Sequence, residues 1–137
     1  MYRIILIDDE PLILAGIASL INWEDHDCCI VGKATNGHAA IGLILEMRPD
    51  IVITDIRMPV MNGLEVIEAC RDKGCEFAFI FLTNLEDFQL AKQAVHLGAA
   101  DYLVKLDLQS QTLVQALDRA KEHCSRMESH HNRELYS

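Results

Sequence analysis

Three short runs of the chain are hydrophobic at every position: Ile4–Ile7 (IILI), Ile51–Ile53 (IVI) and Phe77–Leu82 (FAFIFL). Runs without polar alternation suit strands covered on both faces, as in a parallel sheet sandwiched between helices. Cys29–Lys33 (CIVGK) and Tyr102–Val104 (YLV) are weaker candidates of the same kind. The stretches between them carry helical spacing. Pro11 opens a helix running to Ile21, since proline fits a first turn. Ala39–Met47 has apolar residues at three- and four-residue steps and stops before Pro49. Gly63–Arg71 and Asp87–Leu97 follow the same rule, with Gly98 as the cap that ends the second. A last helix begins near Ser110 and extends past Met127.

Strand and helix thus alternate five times. That order predicts right-handed crossovers and an open parallel sheet with helices on both faces, an α/β fold. No second domain, internal repeat or low-complexity segment is evident. Residues 1–125 are expected to form one domain. The polar stretch 126–137 is expected to be a helical tail or linker.

Composition changes the picture in two ways. Half of the 137 residues are hydrophobic, enough for a core and too many for a disordered chain. The formal net charge of -9 repels a phosphate backbone, so this segment is not expected to grip nucleic acid by itself. Five cysteines without a secretory leader point to reduced thiols and a cytoplasmic protein. Asp8, Asp9 and Glu10 interrupt the opening apolar run too early for a signal peptide. No apolar run is long enough to span a membrane.

The polar residues at the ends of the predicted strands carry the chemistry. Asp8 and Asp9 follow the first strand, Asp55 follows the third, Thr83 caps the fourth and Lys105 caps the fifth. Open α/β sheets place ligands beyond the carboxyl ends of their strands. Carboxylates crowded there repel one another unless a hard cation intervenes, and Mg²⁺ prefers carboxylates, water and substrate oxygens. A carboxylate can attack phosphorus to give an aspartyl phosphate, with a metal and a lysine stabilising the spread charge. A hydroxyl such as that of Thr83 can then bond the new oxygens. Taken singly, each residue has a plainer reading. The Asp8-Asp9 pair could simply cap a helix, Asp55 could be a turn residue before Pro59, and a lone Thr83 or Lys105 says little.

The segments IILIDDEP, DIVITDIRMPVMNG, FIFLTN and GAADYLVK, in this order and spacing, resemble the receiver domains of two-component response regulators over roughly residues 1–125. The resemblance implies a flavodoxin-like, doubly wound (βα)5 three-layer sandwich with parallel strand order 2-1-3-4-5. It also implies roles by matching position. Asp55 would accept a phosphoryl group from a histidine kinase. Asp8, Asp9, Asp55 and the backbone carbonyl of Arg57 would hold Mg²⁺. Thr83 and Lys105 would contact the phosphoryl group. Tyr102 would be the switch aromatic that alters the face of helix 4, strand 5 and helix 5, where a homodimer would form. INWED, ATNGHAA and LEDFQLAKQAVHLGAADYLVK look like receivers that precede AraC-type DNA-binding domains. DNA would then be met only through a separate output domain. The sequence ends at Ser137 without such a module, and its helical tail suggests an excised receiver rather than a stand-alone one.

Two positions depart from the family pattern. Leu106 stands where a proline usually follows the lysine, so a trans or strained bond is expected there and the reach of Lys105 is in question. Asn84 is bulkier than the usual small residue and is expected to modulate access to the phosphoryl group. In the last helix, Leu113, Leu117, Ala120, Cys124 and Met127 could form a coiled-coil seam that breaks at His131 and Glu134. The simpler expectation is that Leu113–Ala120 packs on the sheet, with a dimer-linking extension beyond Cys124. The histidines, including His123 and His130-His131, lack the spacing of a zinc site.

Three rival functions remain. A haloacid-dehalogenase-type phosphatase would need an acidic residue two positions after its nucleophile, where Arg57 stands. A flavin- or nucleotide-binding module would need a Gly- or Ser/Thr-rich loop where Asp8-Asp9-Glu10 stands. A receiver that has lost phosphorylation should not retain the full acidic and basic set.

Overall fold

In the computed structural model, β1 (Tyr2–Ile7), β2 (Cys28–Ala34), β3 (Ile51–Asp55), β4 (Ala78–Thr83) and β5 (Asp101–Val104) form one parallel sheet in the order β2-β1-β3-β4-β5. The structure describes residues 1–136, except for the side chains of Phe88 and of residues 129 onward. Helices α1 (Pro11–Leu20), α2 (Gly37–Met47), α3 (Gly63–Asp72), α4 (Phe88–Leu97) and α5 (Ser110–Tyr136) connect and follow the strands. The fold is the flavodoxin-like three-layer arrangement expected from the sequence.

Alternate residues of each strand feed two cores. Ile5, Ile7, Val52, Phe79 and Phe81 face α2, α3 and α4, packing against Ile44, Val66, Ile67 and Ala94. Ile4, Leu6, Ile53, Ile80 and Leu82 face α1 and α5, packing against Ile17, Leu113 and Leu117. Burial on both faces is why β1, β3 and β4 read as unbroken apolar runs. Phe79 and Phe81 meet edge-on with ring centroids 5.5 Å apart. Truncating either to alanine would cost about 3–5 kcal/mol.

The boundaries differ from the sequence reading where the hydrogen-bond ladder outlasts the apolar pattern. β3 runs to Asp55 and β4 to Thr83, because Asp55 pairs with Leu82 and Thr83 with Val104. α2 begins at Gly37 because Asn36 caps it, its side chain accepting from the Ala39 N–H at 2.8 Å. Short 3-10 turns at Trp23–His26, Leu85–Asp87 and Lys105–Asp107 have no apolar period to announce them. Trp23 of the INWED stretch is buried and donates its indole N–H to the Ala18 carbonyl at 3.0 Å.

Leu113, Leu117 and Ala120 are buried against the sheet, as expected. Cys124 and Met127, partly buried, also lie against that core. The seam break expected at His131 and Glu134, and the His130-His131 pair, lie outside the described side chains.

Candidate functional site

Parallel register decides which residues meet. Ile7 of β1 pairs with Thr54 of β3, so Asp8 and Asp55 are level with each other at the carboxyl rim of the sheet. Lys105 opens the 3-10 turn after β5 and reaches across to both. Its Nζ lies 2.9 Å from Asp8 Oδ2 and 3.0 Å from Asp55 Oδ2, with Glu10 Oε1 at 3.7 Å. The described residues contain no cis peptide bond, and Leu106 is exposed. The missing proline therefore does not prevent Lys105 from reaching the site.

The rim is deeply set. Asp8 is 0% exposed, Asp55 4% and Thr83 4%, and the Lys105 side chain is 7% exposed. Buried carboxylates outnumber the cation, which has electrostatic consequences. Burial pushes the Asp55 carboxyl up to about 7; Lys105 opposes that rise, and Asp8 adds to it. Asp8 is also raised, chiefly by burial, against the lowering effect of the Glu10 N–H and Lys105. For Lys105, burial acts to lower its pKa, but the two aspartates outweigh it and leave the ammonium raised.

One carboxylate oxygen is left over. Asp8 Oδ1 accepts from the Glu10 N–H at 2.8 Å. Asp8 Oδ2, although close to Lys105 Nζ, sits off the line a hydrogen bond requires and has no hydrogen-bond partner. Ligand atoms of Asp8, Asp9 and Glu10 all lie within 4.8 Å of one another, the one such metal-capable group among the described residues. A buried, unbonded oxygen within a trio of carboxylates fits a hard, oxygen-seeking divalent ion and suits a soft metal poorly.

The surrounding loops fix the acceptor. Arg57 N–H donates to Asp55 Oδ1 at 3.3 Å. Its guanidinium Nε lies 2.6 Å from Asp87 Oδ1, a carboxylate buried just before α4. Arg57 thus ties Asp55 to the start of α4. Gly63 N–H donates to the Ile56 carbonyl at 2.9 Å, and a Cβ on Gly63 would stand 2.3 Å from the Asp55 carbonyl oxygen. Only glycine allows α3 to approach so closely. Asn62 and Glu65 form a capping box over that helix start. Val60, between these elements, has φ 69, a strained value for a β-branched residue.

Thr83 donates its hydroxyl to the Asn84 carbonyl at 3.0 Å. Tyr102 is 50% exposed on the edge strand β5. The structure therefore gathers Asp8, Asp9, Asp55, Thr83 and Lys105 at one rim and leaves Tyr102 apart from it. Sequence reading missed three contributors. From sequence alone Glu10 only interrupts the opening apolar run, Gly63 only starts a predicted helix, and Asp87 only opens the predicted helix before Gly98. The Asn-Gly pair ahead of an apolar helical period was the available hint for Gly63.

A doubly wound sheet that buries aspartates around a lysine at its carboxyl rim defines a phosphoryl-signalling module of the receiver class. Residues 4–118 match the family model described as the response regulator receiver domain, and the chain belongs to that family. It is 38% identical over 130 residues to YesN of Bacillus subtilis, an uncharacterized transcriptional regulatory protein, covering 95% of this chain and 35% of the relative. It is 33% identical over 105 residues to the transcriptional regulatory protein HptR of Staphylococcus aureus, covering 77% of this chain and 41% of the relative. The receiver domain of AraT, a response regulator from Geobacillus stearothermophilus, superposes with TM-score 0.84 at 30% identity, covering 93% of this chain and 98% of that one. The chain spans about a third to two fifths of the length of these two curated relatives.

Receiver domains of two-component systems are phosphorylation-dependent signalling modules and are generally not turnover enzymes. They generally bind Mg²⁺ at an acidic pocket. Among the described residues, no helix is long and apolar enough to cross a membrane.

Proposed function

We propose that this chain is a cytoplasmic switch that accepts a phosphoryl group on Asp55 from a histidine kinase and relays its arrival to an attached, DNA-binding output domain. The observation that carries this reading is the placement of Asp55: buried, at the rim, 3.0 Å from Lys105 and level with Asp8. In the transfer, an Asp55 oxygen would form a bond to phosphorus as the bond to the donor nitrogen breaks. The Lys105 ammonium is within reach of the oxygens on which charge gathers.

Asp8, Asp9, Asp55 and the Arg57 carbonyl would hold Mg²⁺, with Glu10 beside them. When bound, the ion neutralises the crowded carboxylates and the incoming phosphoryl oxygens. The Thr83 hydroxyl now satisfies its bond through the neighbouring Asn84 carbonyl. It would exchange that weak local bond for a phosphoryl oxygen and draw the start of α4 with it. Tyr102, half-exposed on β5, would then turn inward and remodel the α4-β5-α5 face for the output domain or a second copy. Asn84 would modulate access to the group. Residues 1–125 would form the receiver and 126–137 the tail that leads to the output domain.

Acetyl phosphate with Mg²⁺ followed by intact-mass measurement tests the proposal. One added phosphoryl group is expected, absent in Asp55→Asn. Equal uptake by that variant would overturn the assignment. Comparing dephosphorylation of Asn84→Ala with the parent tests the modulator role, which equal rates reject.

A further inference from the structure

At the opposite end of β4 from the acidic rim lies a cavity of about 530 Å³ whose wall includes Arg71, Cys75, Phe77, His123 and Arg126. Its concentration of arginines stands out on a chain of net charge -9. Cys75 is not alone there. Helix α3 ends in a left-handed Gly74 (φ 83), with Gly74 N–H bonded to the Arg71 carbonyl at 2.9 Å and Cys75 N–H to the Cys70 carbonyl at 3.1 Å. These two bonds are the paired closures of a Schellman motif, which brings the side chains at the positions of Cys70 and Cys75 together. Both cysteines are buried in the same core cluster, and both are free thiols. Arg48 Nη1 donates to Cys75 Sγ at 3.0 Å.

We propose that Cys75 is an oxidisable thiol facing this basic cavity and that Cys70 resolves it as an intrachain disulfide, with a hydroperoxide as oxidant. The Cys75 sulfur attacks the peroxide oxygen; an S–O bond forms, the O–O bond breaks, and the released oxygen leaves as water or an alcohol. The Cys70 sulfur then attacks the Cys75 sulfenic acid. An S–S bond forms, the S–O bond breaks, and the hydroxyl departs as water with the Cys70 proton. Two thiols lose two electrons and two protons, and with hydrogen peroxide the products are one disulfide and two waters.

The division of labour follows from the surroundings. Burial pushes the Cys70 thiol up to about 11, which makes it the poorer first nucleophile toward the peroxide and requires it to give up its proton as it attacks the sulfenic acid. The Arg48 guanidinium donates directly to the Cys75 sulfur, and Arg71 and Arg126 in the same cavity offer donors for the departing oxygen. Cys28 and Cys124 donate instead to the His26 and Asp50 carbonyls, away from the pair.

Hydrogen peroxide treatment of the full chain, followed by non-reducing peptide mapping, tests the proposal. Trypsin cuts after Arg71 and Lys73, so a Cys70–Cys75 link joins two otherwise separate peptides. The expected result is that linked pair, with Cys28, Cys29 and Cys124 still open to alkylation. Cys70→Ala should stop at a Cys75 sulfenic acid captured by dimedone. Arg48→Gln should slow Cys75 oxidation roughly tenfold. A disulfide involving any of the other three cysteines, or Cys75 left reduced while they oxidise, would overturn the proposal.

Discussion

Asp55→Asn should stabilise this protein in the absence of divalent ions, and do so only at neutral and alkaline pH. Burial beside Asp8 moves the Asp55 carboxyl from 3.8 to about 7. The folded state therefore holds a proton that the unfolded chain has already released between about pH 4 and pH 7. With more protons bound in the folded state, stability falls as pH rises through that window and stays low above it. The displacement corresponds to about 4 kcal/mol between charged and neutral carboxyl. Asparagine has nearly the shape of the neutral acid, so the variant should gain about 2–4 kcal/mol at about pH 8 and almost nothing at about pH 4. Urea unfolding in chelator reads this as a midpoint raised by roughly 1–2 M at the higher pH. Added Mg²⁺ should narrow the gap by stabilising the parent. A variant no more stable than the parent at pH 8, or a gain that does not vary with pH, would refute the reasoning.

Lys105→Met removes the ammonium that lies between Asp8 and Asp55 and should lower stability in chelator by about 3 kcal/mol. It should also raise Mg²⁺ affinity, since a competing cation has gone; weaker binding by calorimetric titration would contradict this. Gly63→Ala forces a Cβ against the Asp55 carbonyl oxygen and should cost about 2 kcal/mol or more while slowing acetyl-phosphate labelling of Asp55. Unchanged stability and labelling would show that α3 can retreat freely. Arg57→Met strands the buried Asp87 carboxylate and should cost roughly 1–3 kcal/mol. Much of this should be recovered on adding Asp87→Asn, and purely additive effects in the double-mutant cycle would rule out the coupling.

The sheet was legible because β1, β3 and β4 are covered on both sides and so carry no polar positions. The rim was legible because Asp8, Asp55, Thr83 and Lys105 each sit at or just beyond a strand end, and parallel register sends strand ends to one side. Tertiary contacts without a local signature were not legible. Asp87 looks like any helix-start aspartate until Arg57, thirty residues earlier, is seen to neutralise it. Gly63 reads as an ordinary helix start until its closeness to the Asp55 carbonyl is seen. Polar residues break an apolar run, so the pattern stops short of Asp55 and Thr83 although the backbone ladder continues through them. In the last helix, the stripe through Cys124 and Met127 has the same period for a coiled coil and for packing on a sheet. Only the contacts decide between them.

Which atom takes the phosphoryl group decides whether Asp55 is the acceptor. Acyl phosphates are reduced by borohydride, so an aspartyl phosphate formed with acetyl phosphate and Mg²⁺ would be converted to homoserine at its own position. Peptide mass mapping should find homoserine at position 55 alone, and none when Mg²⁺ is chelated. Homoserine at position 8 or 9 instead, or phosphate retained on a serine, threonine or histidine, would contradict it.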